Sequence, residues 1–151
     1  MAVIVDTSCL IILSKIGKID CLKRLFGEIL IPSSVLNEFG EKIPDFIQVY
    51  QEPIDINILQ PSQTSLDKGE SEVIALAIEK NAQGVVIDEK KGRKVAKGMG
   101  LKVIGTLGLL VLAHTKGIIE DLEKVIKEVK DQGFFIADKH LRDIRQKCKP
   151  E

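Results

Sequence analysis

The sequence predicts an α/β protein: a three-layer α/β/α sandwich around a mostly parallel central sheet of about five strands. Short apolar runs recur along the chain, at Val3-Ile4-Val5, Ile29-Leu30-Ile31, Val85-Val86-Ile87 and Lys102-Val103-Ile104. Segments with the three-four apolar spacing of helices separate them. The runs are apolar throughout rather than alternating, as in strands of a parallel sheet buried on both faces. At 151 residues the chain is about one domain long. No Pro- or Gly-rich linker divides it, so residues 1-151 are expected to form one domain, with C-terminal helices from about 118-147.

Each element has its local signals. Val3-Ile4-Val5 stops at Asp6-Thr7-Ser8, where Thr7 or Ser8 is expected to cap a helix carrying Leu10, Ile11 and Leu13. Ile19, Leu22, Leu25 and Phe26 mark a second helix, ended by Gly27. The strand Ile29-Leu30-Ile31 runs into Pro32 and Ser33-Ser34, which open a helix burying Val35, Leu36 and Phe39 before Gly40. Pro44, Pro53 and Pro61 punctuate the least regular stretch; within it Ile54-Asp55-Ile56-Asn57-Ile58 alternates as a half-exposed edge strand would. Asp67-Lys68-Gly69-Glu70 leads into a helix through Val73, Ile74, Ala77 and Ile78. After Val85-Val86-Ile87 come Asp88-Glu89 and a basic helix ending near Gly98-Met99-Gly100. Gly105-Thr106 opens the helix of Leu109, Leu110, Leu112 and Ala113. Ile118, Ile119, Leu122, Val125, Ile126 and Val129 form a helical packing stripe, and a last helix is expected over Asp138 to Gln146.

Composition excludes several classes of function. No apolar run approaches the length needed to cross a membrane. The opening Met1-Ala2-Val3-Ile4-Val5-Asp6 lacks a signal peptide's basic region and long apolar stretch, so a cytoplasmic protein is expected. Cys9, Cys21 and Cys148 are scattered with no C-x-x-C pair, which argues against a disulfide framework or a zinc site. His114 and His140 alone leave little for a His-rich centre or a Ser-His-Asp triad. Lys plus Arg and Asp plus Glu number 22 each, so the formal net charge is zero. Nucleic acid would have to be held by a local basic patch rather than by overall charge.

The acids point to a chemistry. Ligands of open parallel sheets bind beyond the carboxyl ends of the strands. Val3-Ile4-Val5 runs directly into Asp6 and Val85-Val86-Ile87 into Asp88-Glu89, so in one parallel sheet these acids share a rim. Helix capping is the ordinary role for either alone. Placing Val73, Ile74 and Ala77 on a buried helix face puts Glu70 on that face too, where a charge needs a partner or a job; a capping box with Asp67 is the plain alternative. Glu72 falls at the edge of this face, and Glu38 flanks the apolar stripe of its own helix, the usual place of a solvated glutamate. Crowded carboxylates call for a hard cation, and a set without His or Cys suits Mg²⁺ or Mn²⁺. Such ions assist hydrolysis of phosphodiesters. Lys90, Lys91, Arg93, Lys94 and Lys97 form a basic helix beside this rim, either a solvated face or a phosphate-binding patch; Arg93 could equally pair with Glu89.

At these residues the sequence resembles the PIN-domain nucleases. Val3-Ile4-Val5-Asp6-Thr7-Ser8 is similar to that family's first strand, first metal-binding Asp and following hydroxyl. Ile29 to Glu38 resembles its second strand and Glu-bearing helix, and Gly69-Glu70-Ser71-Glu72-Val73-Ile74-Ala75-Leu76-Ala77 its central acid. Val85-Val86-Ile87-Asp88-Glu89 with Gly92-Arg93 resembles the last acidic site, and Gly105-Thr106-Leu107-Gly108-Leu109-Leu110 completes the pattern, which covers Val3 to about Gly117. The likeness is to a prokaryotic branch related to toxin–antitoxin ribonucleases. It implies a metal-dependent ribonuclease with Asp6, Glu38, Glu70 and Asp88 holding Mg²⁺ or Mn²⁺. Glu72 and Glu89 compete with or support Glu70 and Asp88; Thr7, Ser8 and Thr106 would orient ligands or water. Lys90, Lys91, Arg93, Lys94 and Lys97 would bind RNA. A homodimer and an antitoxin partner are further implications. The rival is a PIN-like module without activity that binds RNA or a protein. The central acid is Glu where many relatives have Asp, which shifts its carboxylate outward by about a methylene.

Overall fold

The computed structural model describes residues 2–59, 66–134, 136, 141–143 and 146. Five parallel strands form one sheet: β1 (Val3–Val5), β2 (Ile29–Pro32), β3 (Ile47–Tyr50), β4 (Gly84–Val86) and β5 (Val103–Ile104), in the order β3-β2-β1-β4-β5. Successive residues of a strand face opposite sides of a sheet. Val3, Ile4 and Val5 are all buried, as are Val85 and Val86, so both faces are covered where β1 and β4 meet. The α/β sandwich expected from the sequence is therefore the fold.

The helices are α1 (Thr7–Lys15), α2 (Asp20–Phe26), α3 (Ser33–Phe39), α4 (Lys68–Glu79), α5 (Lys90–Gly98), α6 (Thr106–Thr115) and α7 (Leu122–Asp131). Helix α6 packs on α1, α2 and α7, while α4 packs on α3, α5, β1, β2 and β4. The core is aliphatic, with Ile4, Leu10, Leu13, Leu22, Ile74, Leu76 and Leu109 fully buried. Ile4→Ala, which empties a site at the centre of the sheet, is expected to destabilise the protein by about 2–5 kcal/mol. Urea denaturation measures it, and a loss under about 1 kcal/mol would mean that the site collapses without a cavity.

Neither Thr7 nor Ser8 caps α1: Asp6 does, in extended conformation, accepting the Cys9 N–H at 2.9 Å. The alternating Ile54–Ile58 segment is not the edge strand. Asp55 accepts the Asn57 N–H at 2.9 Å and closes a 3-10 turn over Ile56–Ile58, an internal bond that competes with strand pairing. The edge strand is β3, paired with β2 from Ile29↔Ile47 to Pro32↔Tyr50. Gly40 is left-handed after α3, as expected of a helix end. The apolar stripe from Ile118 to Val129 is helical only from Leu122, because Asp121 caps α7 by accepting the Lys124 N–H at 3.1 Å; Ile118 and Ile119 precede the helix. The expected last helix falls largely outside the described residues, as do Pro61, His140 and Cys148. No helix among the described residues is long and apolar enough to cross a membrane.

Candidate metal centre

The chain leaves β1 for β2 and β3 on one side and places β4 and β5 on the other. The crevice at such a reversal, past the carboxyl ends of the strands, is where open α/β sheets bind ligands. Here it lies between β1 and β4, with Val5 opposite Val86. Asp6 directly follows β1, and Asp88 lies two residues past β4, after Ile87, whose N–H still reaches the Ile104 carbonyl at 3.0 Å.

Asp6 is 6% exposed. Its N–H continues the ladder to the Val86 carbonyl at 3.0 Å. Its Oδ1 accepts the Cys9 N–H, and its Oδ2 accepts the Asp88 N–H at 3.0 Å. One side chain thus caps α1 and bridges the ends of β1 and β4. Burial, and then the charge of Asp88, push the Asp6 carboxyl up to about 7, against the pull of the two N–H donors. Asp88 is half-buried and fixed by Thr106 at the start of α6: the Thr106 N–H reaches Oδ1 at 2.6 Å and the hydroxyl reaches Oδ2 at 2.5 Å. Thr106 itself is 2% exposed.

A second set of acids flanks this pair. One carboxylate oxygen from each of Asp67, Glu70 and Glu89 lies within 4.8 Å of the others. Asp67 caps α4 through the Glu70 N–H at 2.8 Å. Its charge also helps raise the Asp6 carboxyl. Glu70, in the first turn of the helix, is half-buried, and its Oε2 is buried without a hydrogen-bond partner. Burial raises the Glu70 carboxyl to about 8, with Glu89 and Asp67 acting in the same direction. Asp67 joins this candidate cluster although its sequence position implies only a cap; its place three residues before Glu70 is the signal that links the two.

The other expected residues take distinct places. Glu38 is exposed on α3 with Oε1 against Gly69, near Asp67. Glu72 turns toward α3, accepting from the Ser34 hydroxyl at 3.2 Å and pairing with Lys68 at 3.8 Å. Those two partners account for its charge without a metal. Thr7 is half-buried and Ser8 exposed at the start of α1. Arg93 is half-buried, with Nη1 and Asp88 Oδ1 both against Gly105. No Arg93–Glu89 ion pair occurs among the described residues. Lys90, Lys91, Lys94 and Lys97 are exposed along α5. Ser8, Asp88, Arg93 and Thr106 also border one end of a cleft of about 840 Å³ whose other walls are largely apolar residues of α1 and α6.

This donor set fits a hard divalent cation. It consists of carboxylate oxygens, it contains an orphaned buried oxygen, and its two raised carboxyls lack the positive charge that would hold them ionised. The acids form two adjoining groups, Asp6 with Asp88 and Asp67 with Glu70 and Glu89, with Glu38 at the edge of the second.

The family model described as a PIN domain matches residues 2–150. No curated protein matches the chain. Among solved structures, it is similar to a PilT N-terminus domain protein from the hyperthermophilic archaeon Sulfolobus solfataricus P2. The identity is 16%, over 91% of this chain and 100% of that one, with a TM-score of 0.43.

Proposed function

Since the chain belongs to the PIN-domain family, whose members are typically metal-dependent nucleases, we propose that it is a ribonuclease that hydrolyses RNA phosphodiesters with Mg²⁺ or Mn²⁺. The observation that carries this reading is the partnerless, buried Glu70 Oε2 within a crowd of carboxylates at the sheet's switch point. Asp6, Asp88 and Glu70 would hold the ion, with Asp67, Glu89 and Glu38 completing its oxygen shell. A divalent cation bound there would supply an activated water and positive charge facing the phosphodiester.

The chain's own groups prepare the site for that ion. Cys9 N–H and Asp88 N–H fix both oxygens of Asp6, and Thr106 fixes both of Asp88, so neither carboxylate has to reorganise on binding. Arg93, which lines the cleft with Asp88, would take a phosphate by paired N–H donors. The exposed lysines of α5 extend that surface along an RNA backbone. Thr7 and Ser8, at the start of α1, are assigned to water or ligand orientation. A role as the toxin of a toxin–antitoxin pair, with an antitoxin partner and a homodimer, is the narrower form of the proposal and rests on the family resemblance. A cytoplasmic setting agrees with the free, buried Cys9 and Cys21.

The purified protein is expected to cleave single-stranded RNA with Mn²⁺ or Mg²⁺ and to stop when EDTA is added. If no Mn²⁺ binds at millimolar concentration, the nuclease reading falls and a non-catalytic RNA- or protein-binding module takes its place.

A further inference from the structure

Three glycines stand in the motifs that carry the acids: Gly69 before Glu70, Gly92 after Glu89 and Gly105 before Thr106. None has a positive φ, so backbone conformation does not require glycine at any of them. Gly69 and Gly92 lie inside helices α4 and α5, where alanine would be the better helix former. What they share is an occupant of the space where a side chain would begin. A Cβ on Gly69 would overlap Glu38 Oε1. One on Gly92 would stand 3.3 Å from the orphaned Glu70 Oε2 and 3.0 Å from Ile87 Cγ2. One on Gly105 would stand 3.0 Å from Arg93 Nη1 and 3.3 Å from Asp88 Oδ1. By contrast Gly98, at the end of α5, has nothing within 4 Å.

We infer that Gly69, Gly92 and Gly105 are positioning residues, whose missing side chains are the room in which Glu38, Glu70, Asp88 and Arg93 approach the centre. The inference rests on the metal-centre reading and deepens it. Gly69 offers the cleanest test, because the atom in its way ends the flexible, exposed Glu38 side chain. Alanine there should move Glu38 off α4 and leave the fold standing.

Gly69→Ala is expected to fold with an unchanged or raised Tm and to bind Mn²⁺ about tenfold more weakly or worse, as when a ligand's supporting contact is lost. Gly98→Ala should likewise keep or raise the Tm, and should bind Mn²⁺ as the wild type does. Once Glu38→Ala is present, adding Gly69→Ala should weaken Mn²⁺ binding no further. Calorimetric titration of the wild type and the four variants provides the comparison. Wild-type Mn²⁺ affinity in Gly69→Ala would overturn the glycine assignment while leaving the nuclease reading intact. If the wild type itself binds no Mn²⁺, the metal reading fails. A crystal structure of Gly69→Ala then decides separately: displaced Glu38 supports the assignment, and Glu38 unmoved overturns it.

Discussion

Asp6→Asn is expected to lower metal-dependent RNA cleavage by roughly a hundredfold or more while the protein still folds. Asparagine matches aspartate in shape, so the aliphatic packing around β1 is undisturbed. Its carbonyl oxygen can keep the Cys9 N–H and hence the cap of α1. Its amide nitrogen then faces the Asp88 N–H that Oδ2 now accepts, two donors in opposition. Leaving that buried donor unsatisfied costs about 1–3 kcal/mol. Against this, the substitution removes a buried charge that already opposes Asp88. The two effects run in opposite directions and are of similar size, so stability should change little. The function has no such compensation, since an amide is a poor ligand for a hard cation beside a carboxylate. Cleavage of end-labelled RNA with Mn²⁺, alongside urea denaturation, provides the two readouts. Cleavage at the wild-type rate by a folded Asp6→Asn protein would end the proposed mechanism.

Much of this arrangement was legible in the residues, and the rest was not for identifiable reasons. An apolar triplet that stops on an acid points to a strand end, and two such triplets point to Asp6 and Asp88, although β4 itself ends one residue early, at Val86. Glu70 was legible because helical spacing tied it to Val73, Ile74 and Ala77, and its buried Oε2 agrees with that face. Periodicity describes where a side chain starts, not where a long one ends. By spacing alone Glu72 is as available as Glu70, but the Ser34 hydroxyl and Lys68 hold it toward α3. Glu38 sits on an exposed part of α3, and only the resemblance pointed to it; the contact that brings it inward is with Gly69, thirty-one residues on, which no local pattern announces. Asp67 was hidden by a sufficient explanation, for a cap needs no second role. The edge strand failed for a similar reason. Alternation at Ile54–Ile58 fits a strand, but Asp55 offers its own N–H partner and turns the chain instead.

The metal-free protein is expected to lose stability as pH rises from about 5 to about 8, and Mn²⁺ should abolish that loss. The sign follows from where the protons sit. Asp6 titrates near 3.8 when exposed and near 7 in the folded protein, because burial and the facing Asp88 disfavour its charge. Between those values the folded state keeps a proton that the unfolded chain has released. Stability therefore falls with rising pH across that window and levels off above it. For a group as buried as Asp6 the full effect is about 4 kcal/mol. Glu70, raised to about 8 by burial and by Glu89 and Asp67, extends the decline upward. Its partial exposure to water makes that share the smaller one. A divalent cation reverses the balance, because it binds the ionised carboxylates of the folded state and not the dispersed ones of the unfolded chain. Urea midpoints at about pH 5 and about pH 8, with EDTA and with Mn²⁺, measure both effects. The Asp6→Asn protein isolates the cause: without metal, its midpoint should vary much less with pH than that of the wild type. Equal pH slopes in the two proteins would show that Asp6 is ionised throughout, and with it that the centre does not need a cation to hold its charges together.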